Sequence, residues 1–160
     1  NIEMDKIFVL NDKKSWDLFF EARHSMPELA FQETKKIDGI SVITDTIVPP
    51  ENFKQSLSEI HQVIRQEKIE YLLFGHLGDC HLHFHLIPTK GQQKGAFDVY
   101  NKIVKISSNL GGVYSAEHGT GKRKKADFLS CYGASAANEL KASKLCLDPH
   151  MILNRGNIID

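Results

Sequence analysis

The chain has 160 residues, 41% of them hydrophobic and 25% charged, with 20 basic and 20 acidic residues and no net charge. That length suits one domain with a core of its own, and the composition is that of an ordinary soluble globular chain and not of a disordered one. The even charge excludes a global basic field for nucleic acid, and no apolar run reaches the roughly 20 residues that span a bilayer.

No secretory signal is visible. Three cysteines, Cys80, Cys131 and Cys146, are too few and too scattered for a disulfide framework, so a reduced, cytoplasmic compartment is expected. The sequence begins at Asn1, which suggests an excised domain or a processed product.

Residues 6–10 read as a short strand. Asp12 can cap a helix to about residue 26, with Trp16, Phe19 and Phe20 on its apolar face. Pro27 ends or kinks it. Arg23 and His24 close that helix as cations near its C-terminal dipole. Residues 28–38 read as a loop. Residues 40–48 are rich in β-branched side chains and read as a strand, interrupted by Asp45 and ended by Pro49-Pro50. Pro50 suits the first turn of a helix to Lys68, where Phe53, Leu57, Ile60, Val63 and Ile64 form one core-facing stripe.

Residues 69–74 read as a buried strand, and residues 81–87 as its partner. Residues 96–110 form a second amphipathic helix with Phe97, Tyr100, Ile103 and Val104 inward, stopped by Gly111-Gly112. Residues 113–116 read as a short strand, and the chain to about residue 146 as a helix broken near Gly133, its basic start at residues 122–125 solvated. The whole predicts a single α+β domain over residues 1–160: a mainly antiparallel sheet with helices packed on one face, ferredoxin-like in outline.

The chemistry concentrates between Gly75 and His85. Strict alternation puts His81, His83 and His85 on one strand face and Leu82, Phe84 and Leu86 on the other. Gly75 and Gly78 permit a tight turn, with His76 and Asp79 close to the histidine face; the parity of Cys80 assigns it to the other face. Imidazoles and a carboxylate brought together by backbone geometry make a divalent-metal site. The alternative is a polar strand face wetted by solvent, which is the expectation for His85. A second constellation, Glu117-His118-Gly-Thr-Gly-Lys122, offers a ligand and a base on adjacent residues, with glycines that admit close approach.

Gly75-His76-Leu77-Gly78-Asp79 with His83 seven residues after His76, and Ser115-Ala116-Glu117-His118-Gly119-Thr120-Gly121, resemble the paired signatures of the FAD-linked oxidase C-terminal domain. This is the substrate or cap domain of D-lactate dehydrogenases, glycolate oxidase flavin subunits and D-2-hydroxyglutarate dehydrogenases. Thr44-Asp45 with Val48-Pro49 resembles its strand ending. Leu147-Asp148-Pro149 and Ile152-Leu153-Asn154-Arg155-Gly156 resemble its closing pattern.

The resemblance implies that His76, His83 and Glu117 are ligands of a divalent metal, zinc or manganese, and that His118 is the catalytic base. It implies that Arg23 and His81 contact substrate and that Asn154 contacts the cofactor. The implied reaction is oxidation of a D-2-hydroxy acid by hydride transfer to FAD. The FAD-binding domain would lie N-terminal to these residues in a longer chain. The isolated domain would then be inactive, and the full-length enzyme cytoplasmic or peripheral to the inner membrane, with its oligomeric state open. There are departures: Cys80-His81 stands where the family commonly has Gly-Asn, Arg155 replaces a proline, and Ile43 falls near a lysine that binds a distal carboxylate in some members.

Two other readings stand beside this one. His81-Leu82-His83-Phe84-His85-Leu86-Ile87 fits the pattern of histidine-triad nucleotide hydrolases, with His83 as nucleophile. The third is a non-catalytic ferredoxin-like interaction module whose histidines are incidental.

Overall fold

A computed structural model describes residues 3, 5 and 7–159. Its centre is a sheet in which one strand pairs with all the others. The elements in chain order are α1 (Lys13–Lys36), β1 (Val42–Ile43), β2 (Thr46–Ile47), α2 (Phe53–Glu67), β3 (Glu70–His76), β4 (His81–Ile87), α3 (Gln93–Asn109) and α4 (Lys125–Leu147). β4 is central, with β3 antiparallel along one side and β1 and β2 in tandem along the other. This is the expected α+β architecture.

The register of β1 and β2 against β4 is unbroken: Val42 faces Leu86, Ile43 faces His85, Thr46 faces Leu82 and Ile47 faces His81. No residue is inserted at the interruption. Instead the Phe84 N–H takes the Thr44 side-chain Oγ1 at 3.0 Å, while the Thr44 N–H donates to the Phe84 carbonyl at 3.1 Å. The Thr44 carbonyl is thereby turned out of the ladder. Alternation then puts Ile43, Asp45 and Ile47 on the same face as the histidines.

The opposite face carries the core. Phe84, Leu86 and Val42 pack with Ile60 and Ile64 of α2 and with Ala96, Val99 and Ile103 of α3. A smaller cluster joins Val104 of α3, Tyr114 and Phe128 of α4. The core-facing stripe of α2 is as expected, but that of α3 is rotated: Phe97 is 51% exposed, and Ala96 and Val99 take its place.

Four expectations are corrected. Residues 7–10 form no strand, and Phe8 and Val9 are largely exposed; residue 6 lies outside the described residues. α1 starts at the expected Asp12 cap, whose side chain accepts from the Ser15 N–H at 2.9 Å. It then continues through Pro27 to Lys36, so residues 28–36 are helix and not loop. One proline removes one N–H, and the buried Ala30 and Thr34 beyond it fasten the helix to the sheet. Residues 113–116 contribute one isolated bridge, Val113 to Ile47, and no strand; the ferredoxin-like outline is not established at its fourth strand. Finally, helices cover both faces, because the end of α1 lies on the histidine side.

α4 is broken where expected, at Gly133 (φ 75°). After α4, Asp148 accepts from Lys144 Nζ (2.7 Å) and from the Ile152 and Leu153 N–H groups (3.0 and 2.9 Å), which folds the tail back. No helix of the described residues is long and apolar enough to cross a membrane.

Candidate active site

β3 and β4 run side by side to His76 and His81, which are directly paired. Their close approach depends on Gly75. Its φ is 144°, and a Cβ there would lie 2.7 Å from the His81 carbonyl oxygen and 2.9 Å from the Leu82 Cα. The turn that follows is a short 3-10 segment, Leu77–Asp79, closed by Cys80 in the left-handed conformation. Asp79 is exposed and joins none of the candidate ligand groups among the described residues, against expectation.

The histidine face of β4 divides into two parts. His85 is fully buried beneath α1, against the expectation that it is solvated. Its Nε2 lies 2.9 Å from Ser41 Oγ, and its ring packs edge-on to Phe31. Burial lowers its pKa. The histidine-triad reading needs three imidazoles on one open face, and α1 closes that face at His85.

The other part is open on one side. The His83 Nδ1–H donates to the Thr44 carbonyl at 3.1 Å, which leaves the lone pair of the neutral ring on Nε2. That Nε2 lies 3.0 Å from Glu117 Oε1, and His76 Nε2 lies 3.3 Å from the same oxygen. His118 stacks on His83, ring centroids 5.0 Å apart and planes within 14°, with its Nε2 3.7 Å from Glu117 Oε1. Burial pushes the His83 pKa down, with the Thr44 hydrogen bond opposing. Partial desolvation pushes the Glu117 carboxyl up, but His76 and the other imidazoles outweigh it and hold it below its ordinary value.

Glu117 and His118 reach this face because Asp45 holds their segment. Asp45 is fully buried. Its carboxylate accepts from Lys124 Nζ (2.7 Å), Ser115 Oγ (2.8 Å), the His118 N–H (3.0 Å) and the Glu117 N–H (3.3 Å). His81 Nε2 lies 3.2 Å from Asp45 Oδ1. Burial would raise the Asp45 pKa, but Lys124, Ser115 and the His118 N–H outweigh it and hold the carboxyl far below the usual range. Backbone bonds from Val113 to Ile47 and from Ala116 to the Asp45 carbonyl continue the attachment.

In the sequence, Asp45 has a place as a strand interruption and in the family-like strand ending, but no site role, and Lys124 is part of a solvated helix start. An aspartate amid β-branched residues, at the strand parity of the histidines, was the available signal. Lys124 carried none.

Five of the expected site residues meet, His76, His81, His83, Glu117 and His118, with Asp45 beside them. Their ligand atoms fall into two groups, His76-His81-His83-Glu117 and Asp45-His83-Glu117-His118, each within 4.8 Å of one another. Two imidazole nitrogens and a carboxylate oxygen suit zinc or manganese, and the Thr44 bond to His83 is the outer contact that orients a metal-binding imidazole. The donor set therefore fits a divalent ion held by His76, His83 and Glu117. Cys80 lines a separate pocket with Leu82 and Phe84 and joins neither ligand group among the described residues.

Arg23 is not brought into this cluster. It is exposed on α1, on the stripe that carries the buried Ala30 and Thr34. Asn154 is exposed in the tail, with its side chain accepting from Asn157.

A flavin pyrophosphate needs free backbone N–H groups at a glycine-rich turn. In the segment from Ser115 to Lys124, the Glu117 and His118 N–H groups are taken by Asp45. Those two N–H groups are therefore not available to a flavin phosphate.

An α+β domain with two imidazoles and a carboxylate converging beside a further exposed imidazole is the class these features define. The chain belongs to the FAD-linked oxidase C-terminal domain family: the model of "FAD linked oxidases, C-terminal domain" matches residues 2–158. It is similar to a D-lactate dehydrogenase of Archaeoglobus fulgidus, 26% identical over 96% of this chain and 33% of the relative. It is also similar to a D-2-hydroxyglutarate dehydrogenase of Haemophilus influenzae, 31% identical over 74% of this chain and 12% of the relative. A third relative is glycolate oxidase subunit GlcD of Bacillus subtilis, 26% identical over 86% of this chain and 29% of the relative. The chain spans about a third or less of the length of these relatives.

Proposed function

We propose that this domain is the substrate part of a flavin-dependent dehydrogenase or oxidase that takes a small D-2-hydroxy acid, lactate- or glycolate-like. One observation carries the reading: Glu117 Oε1 lies within 3.3 Å of both His76 Nε2 and His83 Nε2, with His118 beside them. The names of the relatives support the substrate class.

His76, His83 and Glu117 would hold a divalent ion, whose charge would bind the substrate carboxylate and lower the pKa of its hydroxyl. His118 Nε2 accepts the hydroxyl proton. Its half-exposed position leaves room for substrate, and stacking on His83 fixes its ring. His81 lines the same site. Arg23 lies on the sheet-facing stripe of α1, about 10 Å along the helix from Ala30, and is assigned to the substrate. Asn154 is assigned to the flavin side. The flavin supplies the hydride acceptor and is held by an FAD-binding domain of the same longer polypeptide.

Two measurements test this. Calorimetric titration of the chain with zinc and with manganese is expected to show one site that Glu117→Gln abolishes. The polypeptide carrying this domain together with its flavin-binding domain is expected to reduce a dye acceptor with D-lactate or glycolate. Binding of neither metal, or turnover untouched by Glu117→Gln, sinks the reading.

A further inference from the structure

The geometry points to Asp45 as a positioning residue that fixes the proton of His118 on Nδ1 and so reserves Nε2 as its proton acceptor. A buried carboxylate needs a counter-charge and hydrogen bonds to remain ionised. Lys124 and Ser115 supply these to Asp45 at 2.7 and 2.8 Å. The remaining contacts reach toward the reactive residues. The Glu117 and His118 N–H groups both donate to Asp45, so one side chain grips the backbone of both.

Asp45 Oδ1 also faces two imidazole nitrogens, His81 Nε2 at 3.2 Å and His118 Nδ1 at 3.6 Å. An ionised carboxylate only accepts, so a nitrogen that faces it carries the hydrogen unless, as in His83, the ring's other nitrogen already donates to a fixed acceptor. At 3.6 Å the effect on His118 is an electrostatic bias, of the kind that shortens into a hydrogen bond when substrate arrives. Glu117 competes for the other nitrogen from 3.7 Å. But Glu117 is half-exposed and already shared by His76 and His83, whereas Asp45 acts from a fully buried position where its field is least screened.

The same carboxylate gives His81 the opposite role. With its Nε2–H spent on Asp45, His81 is not a metal ligand through that nitrogen, although it lies within reach of His76, His83 and Glu117. One aspartate thus separates a proton acceptor from a structural imidazole on the same face.

The catalytic consequence rests on the proposed function, but the tautomer is read without metal or turnover. ¹⁵N NMR of the histidines in this chain, with and without zinc, is expected to show His118 and His83 both in the Nδ1–H form. The paired substitution Asp45→Asn with Lys124→Met removes the carboxylate without stranding a buried cation. It is expected to move His118 toward the Nε2–H form while His83, held by Thr44, does not change. Lys124→Arg keeps the counter-charge and is expected to leave the His118 pattern intact.

A wild-type His118 in the Nε2–H form, or a folded double variant with an unchanged His118, overturns the inference. Should the double variant fail to fold, the wild-type spectrum decides. In the assembled flavoenzyme, the same paired substitution is expected to lower kcat by on the order of 10²-fold or more with little change in KM. A tautomer shift with kcat unchanged supports the role of Asp45 and sinks His118 as the base. A kcat loss with no tautomer shift does the reverse.

Discussion

His83 turns Nδ1 to the Thr44 carbonyl at 3.1 Å and Nε2 to Glu117 Oε1 at 3.0 Å. The first contact exists because Thr44 replaces its own carbonyl with its hydroxyl in the ladder to Phe84. A break in a strand thus leaves His83 with its lone pair aimed at the acidic residue. His83→Ala should therefore weaken zinc binding by more than the roughly 10–100-fold typical of losing an outer contact. Calorimetry on the purified chain measures it, and an unchanged affinity excludes His83 as a ligand.

The buried imidazoles make the fold acid-sensitive. Burial holds His61, His83 and His85 below the ordinary imidazole value. Each then binds fewer protons folded than unfolded, so its contribution is full above about pH 6.5 and is lost as pH falls through the folded value. Asp45, also depressed, adds a second loss that begins only near its unfolded value, about pH 4. Melting temperature should drop between pH 7.5 and 5.5. His85→Leu, which removes a buried imidazole whose Nδ1 has no partner among the described residues, should flatten that slope. An identical slope in the variant would show that His85 has no share in it.

Gly75 joins stability to the site. Its positive φ and its contact with the backbone of β4 leave no room for a Cβ. Gly75→Ala should cost about 1–3 kcal/mol from backbone strain alone, read as a lower denaturant midpoint. It should also weaken zinc binding, since His76 is the next residue on the displaced strand. A variant as stable as the parent would show that the strand yields at no cost.

The strand pattern was legible because alternation and β-branching are local properties: β3, β4 and the histidine face follow from residues 69–87 read alone. α1 beyond Pro27 was not, because what keeps it helical is Ala30 and Thr34 packed on the sheet, a tertiary contact that outweighs a local breaker. His85 was misread for the same reason, since nothing near it in sequence announces the helix that covers it. The meeting of Glu117 with His76 and His83 came from the family resemblance and not from spacing. Its physical cause, the bonds from residues 115–124 to Asp45, spans about seventy residues of chain.

The chain purified by itself should be colourless and inactive on D-2-hydroxy acids. Under the proposed function the flavin is held by a separate FAD-binding domain of a longer polypeptide. An absorption spectrum and a dye-reduction assay suffice to check this. Stoichiometric FAD in the purified chain would show that the flavin is held by residues of this domain.

His118 and His83 stack at 5.0 Å but are expected to fail differently when removed. His83 faces Glu117 at 3.0 Å with a nitrogen whose lone pair has no other use, so its loss should lower metal binding and turnover together. His118 is half-exposed and stands farther off, at 3.7 Å, with its backbone N–H bonded to Asp45 and its Nδ1 facing the same carboxylate at 3.6 Å. His118→Ala should thus leave zinc affinity within a few-fold of the parent. In the polypeptide that also carries the flavin-binding domain, it should slow the chemical step by the ~10²–10⁴-fold typical of losing a general base. Zinc titration and single-turnover flavin reduction on the same variant separate the two effects. Zinc affinity lost along with turnover would make His118 a ligand, and turnover retained would assign the proton to another group.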